Sequence, residues 1–524
     1  MVMKIMYRKK ISLGTVAALR LPKMVFPRMR LSKMVLQKMM VPKMMAAVMG
    51  IVGMLMMVMM SSCDSNSPTD ATATIRFSVD TLMFDTVFTS QGSATKIVML
   101  HNDTKSPLII DKVTQQDGSS FLVNLDGEDS LAYLRNIRLP AGDSLYLFVR
   151  AIIDPQNSQS PVLVTDRLTF YLSNGNTSVL CLEAYGQDVT LIDSMVLYDD
   201  YTFVAAKPYL VRYYIASAPE AKVTIEPGAA FYMHKGASAV FYGPLEAKGT
   251  PAEPIVFCGD RLDDYISGIP YAYMPGQWEG VYLYDNEGVA PEWHLANVRI
   301  VSAVNGLFCY GKSYTQRPTL TLHNARIHNN DQYGLILLNT DAAVGNCEIS
   351  NCASYCIYMD GGEATFVHNT IAAYYRHTAY NSNVGLYDTP REDVAAVYLN
   401  NISKAKTTKA SFYNNIITGV RANQLMIASP FPDLYTGEFK GNYLKTDTLR
   451  LPNASDNAYA KDSDTVFVND YYSDYRYFDF RLDSLSPARG IADSVAALAF
   501  PTDMTGLPRT TLDAGCYVYT EMEE

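Results

Sequence analysis

From about residue 223 onward the chain contains a series of short apolar runs. In VTIEPGAAFYMHKGASAVFYGPLEAKGTPAEPIVF, residues 223–257, the runs are separated by Pro-Gly, Lys-Gly, Tyr-Gly and Lys-Gly pairs. Each run is too short to bury a face by itself. The pattern therefore predicts strands that stack on one another as structural repeats.

Downstream, the repeat has a measurable period. Isoleucines in the motifs NVRI, NARI, NCEI, HNTI and NNII are separated by 27, 22, 22 and 46 residues, and we interpret the last interval, twice 23, as two coils. The isoleucines are Ile300, Ile327, Ile349, Ile371 and Ile417, and the residues three positions earlier are Asn297, Asn324, Asn346, His368 and Asn414. The period predicts a parallel β-solenoid with an inward isoleucine column and a ladder of asparagine amides at a turn.

One coil, HNARIHNNDQYGLILLN at residues 323–339, concentrates polar side chains. Aligned with its neighbours, it places Asn324 in the ladder, Ile327 in the core and Gly334 before the next apolar strand. His328 and Asp331 align with apolar or small residues of the adjacent coils, so no polar column is predicted there. We interpret this run as evidence for the fold and not for catalysis.

Residues 73–192 have a different pattern, with β-branched and aromatic runs separated by Gly, Asn, Asp and Ser. The turn SNGN at 173–176 predicts a hairpin, and the strand spacing predicts an antiparallel sandwich. The stretches IVMLHNDTKSPLIIDKV and EAYGQDV resemble the immunoglobulin-like modules of bacterial surface lipoproteins. Nothing in this region has the pattern of a catalytic site.

The first 63 residues form a separate segment. They contain eleven lysines and arginines, no acid, and an apolar, methionine-rich run from Met44 to Met60 that ends in Ser-Ser-Cys. This arrangement resembles a lipoprotein signal peptide, which implies that Cys63 carries the lipid, including palmitate, and that 64–72 is a tether. A plain signal peptide is the alternative. We therefore expect a lipid-anchored protein of the cell envelope, in the outer membrane.

Removal of that segment changes the charge. The remaining chain holds 32 bases against 53 acids, a formal net charge of −21. Such a surface repels phosphate backbones, so nucleic acid is not an expected partner. A polysaccharide is the expected ligand, and a polyuronate would need a local basic patch or a bridging cation.

Four further segments resemble parts of a known fold. The segments KPYLVRYYIASAPEAKVTIEPGAAFYMHKG and PGQWEGVYLY are similar to the opening coils of the pectate-lyase-like superfamily, and DFRLDSLSPARG and DMTGLPRTTLDAGCYVY to its closing segment. The resemblance implies an all-β chain, with an N-terminal immunoglobulin-like β-sandwich followed by a right-handed parallel β-helix, a single-stranded solenoid of nine or ten coils. We expect the β-helix at 196–430 and the closing segment at 431–524.

The chemistry is less defined than the fold. The Gly-His-Gly and Arg-Ile-Lys motifs of polygalacturonases are absent, as is the calcium-binding nonapeptide, and the paired acids that resemble their Asp-Asp, Asp263-Asp264, stand in an insertion that we interpret as a solvated loop. The seven cysteines after Cys63 lack zinc-site spacing, so we interpret them as buried thiols and predict no metal. No cofactor is expected, because the calcium alternative has no motif to support it.

One loop combines a base, a cationic group and an acid. It is YYRHTAYNSNVGLYDTPRED at 374–393, and its candidate catalytic residues are Arg376, His377 and Asp388. The candidate ligand-binding residues are Tyr375, Tyr380, Arg391 and the more distant Trp278. A solvated polar loop, and for Trp278 a packing role, are the structural alternatives. The favoured function is non-catalytic binding of extended glycans or other envelope ligands, and the alternative is a polysaccharide lyase or glycoside hydrolase.

Overall fold

The computed structural model describes residues 70–521, apart from 119, 267–268, 382–384, 391–394, 404–405, 429–434, 447–450, 452 and 471–477. The expected signal peptide, Cys63 and most of the tether lie outside these residues. The described chain is almost entirely β, as the sequence predicts. It forms a two-sheet sandwich and then a parallel β-helix.

The sandwich has a four-stranded and a five-stranded sheet. In spatial order, the first contains Arg76–Phe77, Lys96–His101, Ser144–Ala151 and Phe121–Leu125, and the second contains Thr81–Phe88, Thr177–Gln187, Val162–Leu172, Leu108–Gln115 and Arg135–Leu139. All pairs are antiparallel except the first of the second sheet. The predicted hairpin at 173–176 joins two of these strands, and Gly175 has φ +87° in its turn. Alternate residues of both sheets meet in one apolar core.

The β-helix has three faces, which we name sheets A, B and C in the order in which each coil visits them. Sheet A contains Thr190–Leu197, Tyr209–Ser217, Ala230–Met233, Ile255–Gly259, Val298–Val301, Arg326–Asn330, Glu348–Cys352, Thr370–Ala373, Ile416–Gly419, Tyr443–Leu444 and Ala458–Tyr459. Sheet B contains Ser238–Phe241, Gly280–Asp285, Leu307–Gly311, Leu335–Leu338, Ile357–Asp360, Val397–Asn400 and Leu425–Ala428. Sheet C contains Tyr201–Phe203, Val223–Ile225, Leu245–Lys248, Glu292–Ala296, Thr319–His323, Asp341–Gly345, Gly362–Val367, Thr408–Tyr413, Tyr435–Lys440 and Ala454–Ser455.

The five predicted isoleucines form a column on sheet A. They pair in register through four consecutive strand pairs, and all are fully buried. The residues three positions earlier form the tight turn between sheets C and A, where φ is positive, from +50° at Asn297 to +60° at Asn414. Asparagine tolerates this left-handed conformation better than most residues. The amide ladder is also present, because Asn346 Nδ2 donates to Asn324 Oδ1 at 2.8 Å.

The interpretation of the 46-residue interval as two coils is wrong. Thr370–Ala373 pairs directly with Ile416–Gly419, with Ile371 opposite Ile417. The extra length is an antiparallel hairpin, Arg376–Asn381 with Gly385–Pro390, inserted between sheets A and B. An insertion that matches a coil in length cannot be distinguished from a coil by spacing alone. The last described rung on sheet A is Ala458–Tyr459, beyond the expected boundary at 430.

The chain after residue 460 packs against the outer face of sheet A. Its elements are the antiparallel pair Phe467–Asn469 and Asp479–Leu482, and the short helix Ser494–Ala497, capped by the Asp493 side chain. Apolar residues of this closing segment meet Ala372, Ile416 and Tyr443 in a second core. The outer face of sheet A is therefore covered over these rungs.

Candidate functional site

The outer face of sheet B carries a row of aromatic and aliphatic side chains. Because side chains alternate across a strand, one residue of each rung points inward while the next points outward. The outward residues of five successive rungs pair in register, and we name this set the aromatic stripe: Tyr282, Phe308, Ile336, Tyr358 and Tyr398. The four aromatic side chains are half-buried, and Ile336 is nearly buried.

Ring contacts join the first two and the last two members of the stripe, on either side of Ile336, which is 5% exposed. Tyr282 and Phe308 have centroids 5.7 Å apart, and Tyr358 and Tyr398 are 5.5 Å apart with nearly parallel planes. Additional rings widen the surface on both sides: Tyr284 and Tyr310 on the same strands, and Tyr333 and Tyr355 at the corners between sheets A and B. A contiguous apolar surface of this extent is typical of a binding site rather than of a bare solvent face.

Neighbouring amides orient two of the phenols. Asn305 Nδ2 donates to the Tyr282 hydroxyl at 3.4 Å, and Asn400 Nδ2 donates to the Tyr358 hydroxyl at 3.3 Å. Burial raises the pKa of Tyr282 and Tyr358, and it raises the pKa of Tyr284 to about 12. These phenols are therefore neutral over the physiological pH range, and each combines an apolar ring with a hydroxyl that can hydrogen-bond.

The carboxylates on these five rungs are engaged by the protein. Asp285 accepts the backbone N–H groups of Gly288, Val289 and Ala290, and is 1% exposed. Asp360 is 2% exposed and accepts Lys406 Nζ at 2.6 Å. In the described strands from Gly280–Asp285 to Val397–Asn400, the aromatic stripe itself contains no charged residue.

Two insertions leave the corner between sheets A and B near the ends of the stripe. The first consists of Asp264–Ile266, Ile269–Pro270 and the 3-10 turn Tyr271–Tyr273, and it precedes the rung of Tyr282. The second is the hairpin at 376–390, which precedes the rung of Tyr398. Each insertion therefore leads directly into a strand of sheet B, the first into the first of the five rungs and the second into the fifth.

The predicted catalytic residues lie on this second insertion. Arg376 is opposite Pro390 and Asp388 is opposite Thr378, whereas His377 is opposite Thr389. By strand alternation, positions 376 and 388 belong to one face of the hairpin and position 377 to the other. Tyr380 is opposite Leu386 in the same ladder, and Arg391 lies outside the described residues.

The two other predicted ligand-binding residues are buried. Trp278 is fully buried, packs near Phe257 in the core, and donates its indole N–H to Val301 O at 3.0 Å. The ring is therefore a packing element and has no exposed face for a sugar, as the structural alternative predicted. Tyr375 is 6% exposed, so its ring also lies under the surface.

The polar residues of the coil at 323–339 have partners that alignment of equivalent positions did not indicate. His328 Nδ1 contacts Ser350 Oγ at 2.8 Å, and Ser350 donates to Glu348 Oε1, which also accepts from Arg326 Nε at 3.0 Å. Tyr517 of the closing segment donates to Glu348 Oε2 at 2.6 Å. Burial opposes ionisation of Glu348, but Arg326 and these donors bring its pKa below the usual range. The cluster holds the closing segment on sheet A, and its carboxylate, Glu348, is 2% exposed.

A second asparagine ladder was also missed. The ladder consists of Asn369, Asn415 and Asn442, which lie one position after the turn column and are fully buried. Each side-chain amide donates a hydrogen bond of 2.9 to 3.0 Å to the asparagine of the next rung, and the last acceptor is Asn457. The asparagine of HNTI, the second asparagine of NNII, and those of GNYL and DNAY were the available signal. The ladder satisfies backbone groups inside the turn and is structural.

The cysteines fit the predicted role of buried thiols. All seven after Cys63 are free, and five are buried: Cys309, Cys347, Cys352, Cys356 and Cys516. Burial raises the pKa of Cys347 to about 12. Among the described residues, no group of three or more His, Cys, Asp or Glu side chains is arranged to hold a metal ion, so the calcium alternative gains no support there.

Comparisons with known proteins add little. No protein-family model matches the chain, and no curated protein matches it. The ASH/PapD-like domain of human CEP192 (PapD-like domain 7) is similar to part of the chain at 9% sequence identity and a TM-score of 0.17, over 24% of this chain and 95% of that domain. A likeness at this level carries no argument about function. Within the described part of the chain, no helix has the length and apolar character needed to span a membrane.

Proposed function

We propose that this chain is a lipid-anchored protein of the cell envelope whose β-helix binds an extended glycan along sheet B without cleaving it. The observation that carries the proposal is the aromatic stripe, five rungs long and continuous along the helix axis. Tyrosine contributes both apolar contact area and a hydroxyl, which suits the apolar and polar parts of a sugar. A repetitive surface also suits a repetitive polymer.

Binding without cleavage is favoured because the stripe contains no carboxyl group that could act as a catalytic acid or base. Hydrolysis of a glycosidic bond commonly requires two carboxyl groups on either side of the scissile bond. The two carboxylates on the stripe's rungs, Asp285 and Asp360, are buried and already accept hydrogen bonds. The enzyme alternative depends on Arg376, His377 and Asp388 of the hairpin beside the stripe.

The anchor, palmitate and outer-membrane location rest on the sequence of residues 1–63, which ends in the Ser-Ser-Cys pattern. In this proposal the immunoglobulin-like sandwich is a spacer between the lipid on Cys63 and the β-helix. The motifs similar to the pectate-lyase-like superfamily support an envelope role for the fold. A Cys63→Ser variant tests the anchor, because it should lose fatty-acid labelling and leave the membrane fraction.

A glycan array with a parallel turnover assay tests the binding function. The protein should bind extended glycans, and Tyr358→Ala and Tyr398→Ala should lose at least about tenfold in affinity, as anchor residues of interfaces do. Tyr133→Ala, at a side chain 76% exposed on the sandwich, is the matched control and should bind normally. New reducing ends or unsaturated products, abolished by Arg376→Ala or His377→Ala, would instead establish the enzyme alternative.

A further inference from the structure

The charge distribution around sheet B is unlike that of the chain as a whole. The chain after residue 63 is strongly acidic, yet the aromatic stripe presents neutral phenols, a phenyl ring and an isoleucine. Arg317 beside this face pairs with Asp341 at 2.7 Å, and Lys406 pairs with Asp360. These two cations thus have protein carboxylates as partners, and Arg421, near Tyr355, donates to Met426 Sδ at 3.2 Å.

The stripe also has a defined length. Its first rung is Gly280–Asp285 and its fifth is Val397–Asn400. Neighbouring rungs are about 4.8 Å apart, so the five rungs span roughly 19 Å along the axis. The preceding rung has Val240 in the equivalent outward position and the following rung has Met426, so the stripe itself ends at these coils, while beside it Tyr242 of the preceding coil stacks on Tyr284 at 5.9 Å.

We propose that the ligand of sheet B is an uncharged, β-linked polysaccharide that lies parallel to the helix axis and contacts all five coils of the aromatic stripe. This inference rests on the proposed glycan-binding function and specifies its ligand. An extended β-1,4-linked chain advances by about one coil spacing per sugar, so successive sugars meet equivalent positions. Segments of four or five sugars fill the stripe.

A polyuronate does not fit the same surface. Its carboxylates would lose hydration against neutral rings and would need cationic partners in return. Three described cations beside this face already have partners, since Arg317 pairs with Asp341, Lys406 pairs with Asp360, and Arg421 donates to Met426 Sδ at 3.2 Å, and the acidic surroundings repel a polyanion at long range. An uncharged chain avoids both the loss of carboxylate hydration and the long-range repulsion. Its hydroxyl groups need only the phenol hydroxyls and amides as hydrogen-bond partners.

Calorimetric titration of the whole protein with two matched series tests the inference. One series contains neutral β-1,4-linked oligosaccharides of two to seven sugars, and the other contains uronic-acid oligosaccharides of the same lengths. The neutral series should gain affinity up to four or five sugars and then level off, with little dependence on salt. The uronic-acid series should bind at least about tenfold more weakly.

Variants locate the binding. Tyr358→Ala should reduce affinity for the neutral pentasaccharide by about tenfold or more, whereas Tyr358→Phe keeps the ring and should lose much less. Tyr133→Ala again serves as the control, and a thermal melt of each variant checks folding.

Each contrary outcome identifies a different error. Equal or tighter binding of the uronic-acid series, weakened by salt, would overturn the uncharged ligand but leave glycan binding intact. Full affinity already at the disaccharide would overturn the five-coil span. If neither series binds and the wider array is also blank, the proposed function fails, and the stripe becomes a surface for a protein partner.

Discussion

Two histidines, the fully buried His368 and the largely buried His328, should make the β-helix sensitive to mild acid. His328 lies under the closing segment, and His368 takes the place of asparagine in the turn column, where its Nε2 accepts from Asn414 at 3.0 Å. Burial is the main cause that lowers the pKa of each to about 3 from the ordinary 6.5, and a nearby arginine adds to it. Between pH 6.5 and pH 3 the unfolded chain therefore binds more protons than the folded chain. The free energy of unfolding must fall as the pH falls through this window.

The magnitude follows from the two pKa values. One pKa unit corresponds to about 1.36 kcal/mol, and pH 5 lies about 1.5 units below the ordinary value. Each histidine should thus lower the free energy of unfolding by about 2 kcal/mol between pH 7.5 and pH 5, and the pair by about 4 kcal/mol. Protonation of carboxylates with a lowered pKa, such as Glu348, reduces the free energy of unfolding mainly below pH 5. A comparison of these two pH values consequently isolates the histidines.

Urea unfolding followed by tryptophan fluorescence measures this effect. The chain has two tryptophans, Trp278 and Trp293, and both are fully buried in the β-helix, so the signal reports this unit. His328→Gln should retain a side chain that can contact Ser350, and its loss between the two pH values should be about 2 kcal/mol smaller than that of the wild type, to which His323, whose pKa burial also lowers, contributes as well. His294→Gln, at a more exposed position on sheet C, is the control and should match the wild type. An unchanged pH dependence in His328→Gln would refute the reasoning.

Three further changes test the packing of the coils. Asn415→Ala should lower the free energy of unfolding by about 2 to 4 kcal/mol, because it removes the oxygen that accepts from the N–H and Nδ2 of Asn369 and the amide that donates to Asn442 and to the Phe366 carbonyl, whereas the exposed control Asn286→Ala should have little effect in the same urea titration. Gly334→Ala should cost about 1 to 3 kcal/mol, since the new Cβ would lie 2.5 Å from the Cys356 carbonyl oxygen; a melting temperature equal to that of the wild type would contradict this. Tyr517→Phe removes the hydroxyl that donates to Glu348 and should cost about 1.5 to 3 kcal/mol, with faster proteolysis of the closing segment as the measurement.

The main features of the β-helix could be predicted because they repeat. Ile327 and Ile349 lie in equivalent rungs, and the register at His328, opposite Val301 and Ser350, is the one that sequence alignment gives. A solenoid imposes the same steric demand at each turn, so asparagine recurs where φ is positive. The 46-residue interval misled the count because a hairpin of about one coil in length interrupts the repeat.

The aromatic stripe was harder to predict. Its residues stand in GVYLYD, LFCYG, LILL, IYMD and VYLN, where each outward ring alternates with buried apolar residues and the strand appears uniformly hydrophobic. Only the register of sheet B aligns Tyr358 with Tyr398 across the inserted hairpin. Alignment by sheet A isoleucines alone could not bring these rings together, because the insertion lies between the two sheets.

The partners of His328 show a second limit. Alignment of equivalent positions relates each residue only to the residues directly above and below it in the neighbouring coils. For His328 these are Val301 and Ser350, which do not indicate a polar cluster. The acid that completes it, Glu348, stands two positions before Ser350, and Tyr517 comes from 169 positions later than Glu348. Contacts made by a non-repeating segment are outside what a periodicity can predict.

The three faces of the β-helix therefore differ in what they leave for a ligand. The outer face of sheet A is covered over several rungs by the closing segment, through an apolar core and the Glu348 cluster. The outer face of sheet C carries ion pairs, such as Lys222 with Glu246 and Lys409 with Glu363, which compensate one another and are worth little individually. Sheet B retains half-buried rings, and its stripe contains no charged residue. Since apolar surface left partly in water costs free energy that a ligand can recover, sheet B is the face on which binding gains most.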